Sequence, residues 1–131
     1  GLVLKLAPSE RILINKAVVE NGERRTKINI ITPNAHILRL RDAIHPKEVN
    51  TPVKRVCYIA QLILSGDARS DQAQNELLHG IEQLSQVFRD SDSRSLIDKA
   101  TVFAVEGENY QALKALRALL SREERLFTRQ L

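Results

Sequence analysis

With 131 residues, the chain has room for one domain or two small lobes sharing a core. With a hydrophobic fraction of 43% beside 27% charged residues the chain can fold and need not be disordered, and the single cysteine, Cys57, excludes an internal disulfide. The net charge of +4 is uneven: residues 1–60 hold eleven Lys and Arg against five Asp and Glu, +6, and residues 61–131 hold nine against eleven, −2. A one-sided basic region suits a polyanionic partner, although a solvated surface explains the same charge.

Alternation in "LVLKL" (2–6) predicts a strand with Leu2, Leu4 and Leu6 on one face and Lys5 on the other. "RILI" (11–14) and "AVVE" (17–20) are rich in branched residues and also predict strands. Asn21-Gly22 reads as a type I′ hairpin turn, because both central residues of that turn need positive φ, and "TKINIIT" (26–32) as the return strand. Lys16 then faces Lys27, while Leu13, Ala17, Val19, Ile28 and Ile30 turn to the core. Asn15-Lys16 is a second candidate turn, which would dissolve the Lys16/Lys27 pairing. "HILRLR" (36–41) alternates again, with Leu38 and Leu40 inward and Arg39 and Arg41 outward.

From Asn50 the period changes. Thr51-Pro52 is a helix start, and the first helix is expected from 52 to about 65, stopping at Gly66. A second is expected from about 70 to 88, a third from about 93 to 105 and a fourth from about 109 to 120. The capping-box pattern "SREE" (121–124) predicts a short last helix to 128. The fold class expected is α+β: an N-terminal antiparallel β-sheet or small barrel-like roll (1–49), then a four- to five-helix layer (50–131), packed as one continuous unit.

No catalytic or metal motif emerges. The histidines His36, His45 and His79 lie apart with no ligand spacing, and Cys57 sits in an apolar helix, so neither enzyme, metal nor cofactor is expected. The basic residues are more informative. Lys5, Arg24, Arg25, Lys27, Arg39 and Arg41 could tile one sheet surface and hold phosphates. No aromatic residue precedes Tyr58, so that sheet has no base-stacking platform, and binding should fall steeply with salt. In the second half, Tyr110, Leu126 and Phe127, with Leu131, are candidate contacts for a protein partner. The edge strand 2–6 could pair with a second copy, giving a homodimer. The longest apolar run, "VCYIAQLIL", is too short to span a membrane, so no membrane partner is expected, and the single cysteine fits a reducing, cytoplasmic setting.

"LVLKLAPSERILINKAVVENGERR", "TPNAHILRLRDAIHP", "NTPVKRVCYIAQLILSGDA", "GIEQLSQVF" and "YQALKALRALL" together resemble the FlbT family of flagellin regulators of alphaproteobacteria. The resemblance implies binding to the 5′ untranslated region of flagellin mRNA, with control of its translation and decay, by repression in some members and activation in others. It also implies a FlaF-like small helical partner. The family pattern implies Gly where this chain has Ser9 and Lys16. The alternative expectation is a protein-binding adaptor that meets a FlaF-like partner or flagellin without touching RNA.

Overall fold

The computed structural model describes residues 1–129, the side chains of Ser70, Thr128 and Arg129 excepted. Five strands come first: β1 (Leu2–Leu6), β2 (Arg11–Ile14), β3 (Ala17–Glu20), β4 (Thr26–Ile30) and β5 (Ile37–Arg39). Two short 3-10 turns, Leu40–Asp42 and Pro46–Glu48, lead into α1 (Pro52–Ser65), α2 (Ser70–Leu84), α3 (Ser91–Val105) and α4 (Asn109–Arg129). The class is α+β, as expected. The strands do not form a single sheet, however: β1 pairs with β4, and β3, β2 and β5 form a separate antiparallel sheet.

The hairpin turn lies at Asn15-Lys16, not at Asn21-Gly22. Arg11 opposes Glu20 and Ile14 opposes Ala17, which leaves Asn15 and Lys16 as the two loop residues. Both have positive φ, 47° and 73°, as a type I′ turn requires. Gly22 does not have positive φ, and Asn21 has another task. Its side-chain amide donates to the Ala7 carbonyl at 2.8 Å and the Arg24 carbonyl at 2.9 Å, tying the loop after β3 to the end of β1. The Lys16/Lys27 pairing therefore does not exist. β4 is free to pair with β1, which sets Leu4 against Ile28 and Lys5 against Lys27.

This topology changes which side chains are inside. Ala17, Val18 and Val19 are exposed, Val18 at 64%, because β3 is an edge strand with no layer over it. All of β5 is buried. Leu38 joins the core of the helical layer, while Ile37 joins a small core with Leu4, Leu6 and Ile12. Successive strand side chains alternate, so Arg39 falls on the side of Ile37, towards β1 and not towards water. Leu40, expected inward, leaves the strand in the 3-10 turn and is exposed.

The helices follow the sequence more closely. The Thr51 hydroxyl accepts from the Lys54 N–H at 3.2 Å, and Gly66 closes α1 at φ 80°. The Asp90 carboxylate accepts from the Ser93 N–H at 3.0 Å and starts α3 two residues earlier than expected. α2 stops at Leu84, and tight turns then carry the chain to Phe88, which is still buried. The short last helix is not separate: α4 continues unbroken through it. The Ser121 hydroxyl donates back to the Ala118 carbonyl at 3.5 Å rather than capping a new start. Glu123 reaches across to α1 instead. Its carboxylate accepts from the Val53 N–H at 2.9 Å and from the Thr51 hydroxyl, filling the open end of that helix.

Candidate nucleic-acid interface

Pairing of β1 with β4 places Lys5 directly opposite Lys27, and Arg25 just precedes β4. Like charges in this position repel, so the native pairing carries an electrostatic cost that a bound anion would relieve. Two adjoining recesses share Lys5, Arg39 and Arg41. One, of about 560 Å³, is completed by Arg25 and Lys27. The other, of about 460 Å³, runs under α4 and is completed by Tyr110, Lys114 and Arg117. Five of the six cations expected to act together thus line one groove, built from both sheets and α4 rather than from one sheet surface. Arg24 lines neither recess. It is exposed beyond β3, and its carbonyl accepts from Asn21 and Thr26.

The cations in the groove are not equivalent. Arg39 is not the outward residue that alternation suggested. Its side chain is only 10% exposed and pairs with Glu10, itself 6% exposed, at 2.8 Å. A second guanidinium nitrogen donates to the Lys5 carbonyl. Burial works against Arg39's charge, but the Glu10 hydrogen bond and the neighbouring Tyr110 oxygen outweigh it and raise its pKa. Burial likewise works to raise Glu10, and the Ala7 N–H, Arg39 and Arg41 overcome it, holding the carboxyl below the usual range. Arg41 lies 3.7 Å from Glu10 and 3.8 Å from Asp42, and Arg117 pairs with Asp42 at 2.7 Å. Lys5, Arg25, Lys27 and Lys114 are exposed and have no carboxylate ion pair among the described residues. They are the groove's available charges.

Lys114 and Arg117 were not singled out from the sequence. The signal was present: Tyr110, Lys114 and Arg117 stand at i, i+4 and i+7, one stripe of a helix. Tyr110 does not join Leu126 and Phe127 in one partner surface: sixteen helical residues put it about 24 Å from Leu126. Leu126 and Phe127 are 38% and 43% exposed at the far end of α4. Leu131 lies outside the described residues.

The other reactive side chains have structural settings. Cys57 is fully buried, and burial pushes its thiol up to about 12 despite nearby Arg117, which leaves it protonated and enclosed. The His45 ring accepts from the Lys47 N–H at 3.1 Å and caps a 3-10 turn. Among the described residues, no three His, Cys, Asp or Glu side chains gather as metal ligands, and no helix is long and apolar enough to cross a membrane.

The chain is similar to a set of flagellar proteins. A probable flagellum biosynthesis repressor protein FlbT of Rhodopseudomonas palustris is 34% identical over 129 residues, covering 98% of each chain. One from Bradyrhizobium diazoefficiens is 32% identical over 132 residues, covering 96% of this chain and 84% of the relative. One from a Caulobacter species is 27% identical over 123 residues, covering 94% and 93%. No solved structure matches. The family model described as flagellar protein FlbT aligns with residues 2–127, from β1 through the exposed Phe127, and with agreement along that whole span the chain belongs to the FlbT family.

Proposed function

We propose that this FlbT-family chain regulates flagellar synthesis by holding the 5′ untranslated region of flagellin mRNA, in the cytoplasm, in the groove between the two sheets and α4. One observation carries the reading: Lys5 and Lys27 face each other beside Arg25 in an open recess, with no carboxylate paired to any of them among the described residues. The relatives' naming as flagellum biosynthesis repressors supports the regulatory role. Four available cations on a single strand give a log–log salt dependence of about −3. Anisotropy of a labelled flagellin leader should show that slope for the native protein. Lys5→Glu with Lys27→Glu should remove about half of it and most of the affinity. Unchanged affinity and slope in a folded double variant would reject the groove. Asp42→Asn should act oppositely, since it releases Arg117 and tightens RNA binding.

A second reading has its own support. Leu126 and Phe127 are exposed apolar residues on a helix end, a surface suited to a FlaF-like helical partner. Pure protein that leaves the leader unshifted, yet holds that partner until Phe127→Asp is introduced, would favour an adaptor.

A further inference from the structure

We infer that Tyr110, Lys114 and Arg117 form the second wall of the groove and take an unpaired base, which makes single-stranded RNA the ligand in preference to a duplex. This rests on the groove reading above and adds a base-binding element to it. The three residues make one stripe about 10 Å long on α4. All three line the recess that also holds Lys5 and Arg41. Tyr110 is half-buried and packs on the small core of Leu4, Leu6, Ile12 and Ile37. Its position is therefore set before any ligand arrives, and little freedom remains to be lost on stacking. Its oxygen lies beside Arg39, which Glu10 fixes.

Lys114 is exposed one turn further along α4. Arg117 is 39% exposed, holds Asp42 through one nitrogen, and keeps its buried Nε without a hydrogen-bond partner. An aromatic ring that shares its recess with the exposed Lys5 and Lys114 matches a strand that presents base and phosphate in turn. The faces of bases in an A-form duplex are stacked on one another, so a duplex could use the cations but not the ring. The platform missing from the sheet is supplied by α4.

The test uses the full chain and a labelled oligouridylate of about 12 nucleotides. Tyr110→Leu should weaken binding about tenfold or more without changing the salt slope, and Tyr110→Phe should restore it to within about twofold. Lys114→Ala should reduce the slope by about 0.7. A strand with abasic positions, tested on the unaltered protein, should lose the same factor as Tyr110→Leu, and a duplex of equal length should bind more weakly than the single strand. Equal affinity for normal and abasic strands overturns the base pocket. If Lys5→Glu with Lys27→Glu still abolishes binding in that case, the groove reading survives alone. If that variant also changes nothing, both fail.

Discussion

Where α1 to α4 meet, Val53, Leu77, Ile81 and Leu116 are wholly enclosed in a core that runs through all four helices. The separate strand core holds Leu4, Leu6, Ile12 and Ile37, while Leu38 of β5 joins the helical core. Each enclosed aliphatic side chain contributes about 1.5–3 kcal/mol, so the helical layer draws much more from buried area than the strands do. The strands add directional contacts: Glu10 with Arg39, and Asn21 with the Ala7 and Arg24 carbonyls. The comparison teaches that the same ion pair which orders the strands also fixes the floor of the basic groove. Stability and charge placement are coupled on that side of the molecule and separate on the other.

That coupling can be broken on purpose. Glu10→Ala leaves the Arg39 guanidinium buried and unpaired, and should cost about 3–5 kcal/mol in denaturant unfolding. Hydrogen exchange should show the loss in amides of β1, β2 and β5, with α1 to α4 still protected. Leu116→Ala, in the helical core, should cost about 2–5 kcal/mol and loosen the helices instead, while the salt slope for RNA stays the same. Acid sharpens the contrast. The carboxyl of Glu10 titrates below its ordinary 4.5 in the folded protein. Its contribution is therefore full above about pH 4.5 and is lost as pH falls through the lower folded value. Stability measured from pH 6 downwards should decline in the native chain, and Glu10→Gln should lack that part of the decline.

Smaller effects test the ends of elements. Thr51→Ala removes the α1 cap and should cost about 1 kcal/mol, with Glu123 still holding the Val53 N–H. Ser9→Gly should move stability the other way by about 1 kcal/mol, because Ser9 sits at φ 59°, where a side chain is strained. Lys16→Gly relieves the same kind of strain at φ 73° but loses the lysine stem that lies against Gly66, so thermal melting should show the smaller gain.

Much of the molecule was legible in its sequence, and the failures have physical causes. Thr51-Pro52 and Gly66 marked helix ends because caps act within a few residues. Strand positions were legible as well, but partners were not, since pairing depends on which turn supplies positive φ. Asn15-Lys16, the second candidate turn in the sequence, does so in place of the more conventional Asn21-Gly22. The opposite charges of Arg11 and Glu20, now 2.8 Å apart, were the available clue to register. Arg39 was misplaced because alternation gives relative faces and not which face meets water. The Tyr110, Lys114, Arg117 stripe could have been found by spacing alone, yet its meeting with Lys5 required the tertiary fold.

The reach of Glu123 to the Val53 N–H spans seventy positions of chain. Synthesis proceeds from the amino end, so α1 leaves the ribosome long before the residue that will occupy its open end has been translated. The helix waits with those donors facing water until the chain has been made as far as α4. A chain cut after α3 would carry every strand and three of the four described helices but lack this latch.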